Sequence, residues 1–205
     1  MENINNEEVL NKKKSLGTRI VVSLLEYVEI LVFSLVCVML LFTFVVRLCE
    51  VSGDSMNNTL VDNEKLLVSN VFYKPECGDI IVFHQTGALN EPVVKRVIAV
   101  GGETININFD TMEITVTGKD GNKRVLQEDY AFYDSNESVK KKYMRHTTDF
   151  LFPLEVPEGY LFVMGDNRYN SLDSRFLEVS LVDERRVLGK VIFRLTPFNK
   201  MGTVD

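Results

Sequence analysis

The apolar run near the N-terminus restricts the folding of this chain more than any other stretch. No charged residue occurs from Ile30 to Val46. A helix of about 17 residues spans roughly 25 Å, near the lower limit for crossing a bilayer. Extending it back through Tyr27 and Leu24 makes a comfortable span and brings Glu26 and Glu29 into the first turns. A helix N-terminus and the headgroup layer both tolerate carboxylates there. The competing accounts are a buried helix of a soluble protein and a cleavable secretory signal. The signal would need a shorter apolar core followed by a small-x-small site, which Val45-Val46-Arg47-Leu48 does not offer. We therefore read residues 20–48 as an uncleaved, single-pass anchor in the cell membrane. Lys12, Lys13, Lys14 and Arg19 precede it, whereas Arg47 alone follows directly. The positive-inside rule then makes residues 1–19 a cytoplasmic tail and residues 49–205 extracytoplasmic.

The rest of the chain is long enough for one ordinary domain, and a composition of 45% hydrophobic and 25% charged residues is that of a folded one. A formal net charge of −6 without a dense Lys/Arg patch argues against nucleic acid as a partner. The three cysteines, Cys37, Cys49 and Cys77, form no C-x-x-C pair, and His84 and His146 are the only histidines. That supply offers no zinc-ligand spacing, and no metal or other cofactor is expected. An odd cysteine count fits isolated thiols better than a disulfide framework, with a Cys49–Cys77 bridge left as the alternative.

Beyond the anchor the pattern is that of short strands. Lys65–Val68, Asp79–Phe83, Val93–Val100, Ile105–Phe109, Glu113–Thr117, Tyr160–Met164 and Val191–Leu195 are β-rich runs bounded by turn formers. Gly118-Lys119-Asp120-Gly121-Asn122 reads as a hairpin turn. Residues 134–149 are charged and irregular and read as a surface loop carrying a solvated His146. The fold class is mostly β: an antiparallel β-sheet domain, with a smaller β excursion at about 104–155.

Three stretches carry candidate chemistry. In Val51-Ser52-Gly53-Asp54-Ser55-Met56-Asn57-Asn58-Thr59-Leu60, turn formers bend the backbone around Ser55 and let its hydroxyl project. Ser55 lies only eight positions beyond Arg47, a reach of roughly 26–29 Å when fully extended, so Ser55 is expected to work near the membrane surface. A plain polar turn is the other reading. In Val93–Val100, period two puts Lys95 with Val93, Val97 and Ala99 on one face, and Arg96 with Val94, Ile98 and Val100 on the other. Burial of a lysine on an apolar face penalises its ammonium and turns it into a base at neutral pH; the alternative is an edge strand with Lys95 snorkelling to water. Residues 164–175 gather Asp166, Arg168, Asp173 and Arg175 with hydroxyls and amides but no lysine, directly after an apolar run, as a buried polar network would.

Together these stretches resemble the type I signal peptidases of bacterial membranes, over roughly residues 20–198. The family pattern Ser-Gly-x-Ser-Met falls on Ser52 to Met56, Gly-Asp-Ile-Ile-Val-Phe on Gly78 to Phe83, and Lys-Arg-Val-Ile on Lys95 to Ile98. The longest match, Gly-Asp-Asn-Arg-x-Asn-Ser-x-Asp-Ser-Arg, falls on Gly165 to Arg175. The resemblance implies a signal peptidase/LexA-like β fold, with Ser55 as nucleophile and Lys95 as general base. It also implies that Ser171 orients the lysine amine and that Asp173 with Arg175 holds the shape of the site, with Arg96 as a further support. Gly53 matches members without an oxyanion-donating hydroxyl at that place, leaving backbone N–H groups to that task. The implied substrates are signal-peptide-bearing preproteins, bound extended along a strand edge and cut after small residues, with Val51, Met56, Leu60 and Val94 lining the pockets. The bilayer is the other implied partner. The sequence departs from the family at Asn58, where proline is usual, and at Glu178, where glycine is usual. Two rival functions are a catalytically silent relative that assists surface protein or pilus assembly, and a Ser-His peptidase. The first would have lost Ser55 or Lys95, and the second would have histidine in place of Lys95.

Overall fold

The computed structural model describes residues 2–84, 91–136, 141–144 and 148–204, with side chains described from Thr18 onward except at 44, 134–136 and 141–143. The chain divides into two compact units, residues 1–45 and 46–205.

The first unit is one helix, α1 (Glu2–Phe44). Its stretch Thr18–Thr43 has a mean hydropathy of 2.3, long and apolar enough to cross a membrane, and none of it is buried within the structure. The helix differs from the sequence reading at both ends. It includes most of residues 1–19, read above as a tail before the span, because Glu7 to Lys14 are mostly good helix formers with no glycine or proline before Gly17. It stops at Phe44, short of the expected limit at 48, because Arg47 and Leu48 already belong to a strand.

The second unit is built from antiparallel strands: β1 (Arg47–Glu50), β2 (Lys65–Ser69), β3 (Ile80–His84), β4 (Pro92–Val100), β5 (Thr104–Asn108), β6 (Glu113–Thr117), β7 (Lys123–Val125), β8 (Asp134–Asn136), β9 (Lys141–Tyr143), β10 (Leu154–Glu155), β11 (Tyr160–Met164), β12 (Val182–Asp183) and β13 (Val187–Arg194). Among the described residues they form a seven-stranded sheet in the order β1-β2-β13-β3-β4-β11-β12, a four-stranded sheet β10-β5-β6-β7, and the hairpin β8-β9. The strands of the four-stranded sheet fall within residues 104–155. The β8-β9 hairpin corrects the reading of 134–149 as plain loop, and His146 lies outside the described residues.

Strand alternation builds the core on both faces of the large sheet. Ile80 and Val82 of β3 pack with Val51, Met56, Leu60, Leu66 and Val68, while Ile81 and Phe83 pack with Val97, Leu161 and Val163. A third cluster joins Ile98, Ala99, Phe162 and Met164 to Ile105, Ile107, Ile114 and Val116 of the smaller sheet. Burial of branched side chains at about 25 cal/mol per Å² is the main stabilising term for such a unit.

One detail of β4 overturns the period-two reading. Its register with β11 pairs Val97 with Val163 and Ala99 with Phe162, so Ile98 is an extra residue on β4. That irregularity turns the strand: Val97 stays in the cluster with Val163, but Ala99 joins Ile98 and Phe162 in the third cluster. Ala99 therefore does not share the face of Lys95. The three cysteine thiols are free, so no Cys49–Cys77 bridge forms.

Candidate active site

β4 and the turn after β1 bring Lys95 and Ser55 together. The turn is closed by the Asn57 N–H donating to the Asp54 carbonyl and the Leu60 N–H to that of Met56. Gly53 enters it at φ +81, a left-handed conformation that favours glycine, and its N–H donates to Asp62 Oδ1 at 2.7 Å. The Lys95 Nζ and Ser55 Oγ are hydrogen bonded at 2.6 Å. Lys95 is only 3% exposed. Burial pulls its amine down to about 8 from an ordinary value of 10.5, with Asp173 and Asp166 opposing that shift and Arg175 adding to it. The snorkelling alternative is thereby overturned: the amine turns inward, onto the serine.

The loop 165–175 forms the floor of this pair. Asp173 takes two hydrogen bonds from the Arg175 guanidinium, Nε to Oδ1 at 2.7 Å and Nη2 to Oδ2 at 2.8 Å, one from the Arg175 backbone N–H at 3.3 Å, and one from the Gly165 N–H at 3.0 Å. Burial works to raise the Asp173 carboxyl, but the charge and hydrogen bonds of Arg175 outweigh it and hold it below the usual carboxylate range. The Asn167 N–H donates to the Ser55 carbonyl at 3.0 Å, and its side-chain amide donates to the Asp54 carbonyl at 3.1 Å. A Cβ at Gly165 would overlap both the Ser55 carbonyl oxygen and the Ser171 hydroxyl, so only glycine permits the loop to lie this close to the nucleophile.

Ser171 is where the geometry differs most from the expected role. Its hydroxyl is buried without a hydrogen bond of normal geometry, although it lies near enough to Asp173 to help keep that carboxylate ionised. No hydrogen bond joins it to the Lys95 amine in this structure.

Arg96 points away from Lys95, as alternation requires. It donates from Nε and Nη2 to both oxygens of Asp166, at 2.9 and 2.8 Å, and from Nη1 to the Gly78 carbonyl at 2.8 Å. Thr59 donates its hydroxyl to the same carboxylate at 2.5 Å, tying the serine turn to the loop.

Two residues outside the readable motifs complete the network. Glu128 accepts from Arg168 Nη1 at 2.6 Å and from Nη2 at 2.5 Å, with both side chains buried. The Tyr130 ring stacks under the Arg96 guanidinium, 3.8 Å from the centroid. A signal for Glu128 existed in the charge count. Arg96, Arg168 and Arg175 outnumber Asp166 and Asp173, so a buried network of these residues needs a third carboxylate from elsewhere.

Ser55 and Lys95 open into a cleft of about 210 Å³ lined by Ser52, Glu91, Pro92, Val93, Val94 and Leu172. Of the four residues expected to line pockets, Val94 alone borders it; Val51, Met56 and Leu60 are core residues, 0–3% exposed. They sit there because the serine turn is anchored by inserting its apolar members beneath the sheet. A larger cavity of about 430 Å³ exists elsewhere, but its central carboxylate, Asp79, is already held by Lys190 and the Tyr73 hydroxyl. The two departures at Asn58 and Glu178 lie in turns and hold no group of the pair.

The family model for signal peptidases, peptidase S26, matches residues 24–196. The chain belongs to that family. Similar relatives include a signal peptidase I of Bacillus licheniformis, 34% identical over 97% of this chain and 98% of that one. Signal peptidase I T of Bacillus subtilis is 33% identical over 98% and 96%. Among solved structures, a signal peptidase I from Enterococcus faecalis is 30% identical, covering 58% of this chain and 97% of that one with a TM-score of 0.43. Membership of the S26 family makes the chain a membrane-associated serine endopeptidase, and the antiparallel β unit with one N-terminal apolar helix is the fold the sequence led us to expect.

Proposed function

We propose that this chain is a single-pass membrane endopeptidase that removes N-terminal signal peptides from exported preproteins, cutting after small residues. Ser55 is the nucleophile and Lys95 the general base. The observation that carries this reading is the 2.6 Å pairing of a serine hydroxyl with a buried lysine amine whose pKa is drawn down to about 8. A neutral amine accepts the Ser55 proton as Oγ attacks the scissile carbonyl, and the resulting ammonium then protonates the leaving amine. Water deacylates the serine ester by the same base. The Ser55 N–H donates to no group among the described residues and is free to receive the oxyanion, whereas the Gly53 N–H is committed to Asp62.

Substrate docking follows from an open strand edge. β11 pairs with β4 only from Arg96 onward, so Pro92–Lys95 carry no neighbour on that side among the described residues. Ser52 and Ser55 border the same cleft, and an extended peptide laid between them and β4 would bring its carbonyl to the serine. Small side chains at the cut site suit a cleft of this size. The excess of basic residues before α1's apolar stretch supports a cytoplasmic N-terminus and an extracytoplasmic second unit.

The test is cleavage of a preprotein by variants of the full chain in detergent or membranes. Ser55→Ala and Lys95→Ala should each abolish cleavage, and the double variant should be no worse, because members of one catalytic unit are non-additive. Lys95→Arg should fail too, since arginine cannot give up its proton. Substantial cleavage by Lys95→Arg would reassign Lys95 to structure or binding.

A further inference from the structure

The cleft holds one carboxylate that the mechanism does not use. Glu91 stands immediately before β4 and lines the same cavity as Ser55 and Lys95, whereas the other lining residues, Ser52, Pro92, Val93, Val94 and Leu172, are uncharged. It is exposed, and among the described residues it has no ion pair or side-chain hydrogen bond. Asp166, Asp173 and Arg175 are the charged groups acting on the Lys95 amine, and Glu91 is not among them. Glu91 is thus an exposed, unpaired acidic residue lining the cleft, available to whatever fills it.

Its place along the strand says what it would meet. Pairing of β3 with β4 runs without interruption from His84 and Pro92 to Ile80 and Arg96, so β4 is regular here and Val93 shares the Lys95 face. At about 3.3 Å per residue, Glu91 lies at most about 13 Å along the strand from Lys95. A peptide bound extended along the open edge advances at the same rate, so the side chain facing Glu91 belongs to a residue a few positions from the scissile bond.

We propose that Glu91 is a specificity-determining residue that selects a basic side chain at one substrate position, two to five residues from the scissile bond. This inference rests on the proteolytic reading above and on an extended substrate along β4. The interaction is a solvent-accessible ion pair at the mouth of the cleft, worth about three- to ten-fold between opposite and like charge. It weakens with added salt.

The experiment compares kcat/KM for a panel of preprotein substrates, each carrying Lys, Gln or Glu at one position from five before to five after the cut. The enzymes are the full-length chain and its E91Q and E91K variants. The native chain should favour Lys over Glu at one position within the stated range by about three- to ten-fold, E91Q should erase that preference, and E91K should reverse it. Salt at 0.5 M should flatten the difference. A panel in which the charge ranking is the same for all three enzymes overturns the proposal. Ser55→Ala and Lys95→Ala are run beside them on the best substrate: cleavage that survives these changes means the proteolytic reading has failed, whereas cleavage that needs both residues yet ignores Glu91 means only the specificity assignment has failed. If E91K does not fold, judged by its β-sheet circular dichroism, E91Q decides the outcome alone.

Discussion

At the scale of single residues, the feature that matters is a lysine held where its charge is costly. Burial draws Lys95 to about 8, while the unfolded chain keeps the ordinary value of 10.5. Between those two values the unfolded state binds more protons, so stability climbs as pH rises through that window. Below about 8 the folded state carries the full penalty, about 3 kcal/mol at 1.36 kcal/mol per pH unit. Lys95→Met should therefore raise stability by about 1–3 kcal/mol at pH 7, with the gain fading as pH approaches 10.5. Urea unfolding at a series of pH values checks this. A Lys95→Met chain no more stable than the native one at pH 7 would mean the lysine is not buried as described. Such a site trades stability for reactivity, and the trade is visible in one side chain.

At the scale of elements, much was legible because local chemistry and tertiary context agreed. The strands at 65–69, 80–84, 92–100 and 113–117 lie where β-branched runs end at turn formers, and the Gly118–Asn122 hairpin turn is closed by the Gly118 N–H donating to the Asn122 carbonyl. What escaped the sequence depended on partners far away in the chain. The four residues of β1 are too short to signal a strand and exist because β2 pairs with them from Arg47–Val68 to Glu50–Lys65. The extra residue at Ile98 has no local signature and moved Ala99 to another cluster. Val51, Met56 and Leu60 carry a pattern that suits a pocket wall and a core equally well, and only packing decides between them. Ser55 and Lys95 were legible because a hydroxyl at a turn and a lysine on an apolar strand are locally unusual. The charge count called for a third carboxylate, but that it is Glu128 was not legible, since its partner Arg168 is 40 residues on. Its effect is testable at this scale. Glu128→Gln leaves Arg168 buried with an uncompensated charge, and breaking a buried pair costs about 3–5 kcal/mol. Urea denaturation should register that loss, while Arg124→Gln, whose guanidinium is partly exposed, should lose far less.

At the scale of the whole molecule, a helical unit and a β unit divide the labour between location and chemistry. The 26 residues from Thr18 to Thr43 reach about 39 Å as a helix, more than the roughly 30 Å of a hydrocarbon core. The proposed cytoplasmic N-terminus predicts that protease added to right-side-out vesicles digests residues 50–205 and leaves the apolar helix; protection of that region, with digestion in inverted vesicles, would reverse the orientation. How the β unit does its chemistry is read from the dependence of kcat/KM on pH for preprotein cleavage by the full chain in membranes. The base must be neutral before Ser55 attacks, so activity should be low at pH 6, rise through a midpoint at about 8 and level off above it. A midpoint near the histidine value of 6.5, or a rate that does not change from pH 6 to pH 9, would contradict a buried Lys95 acting as the base for Ser55.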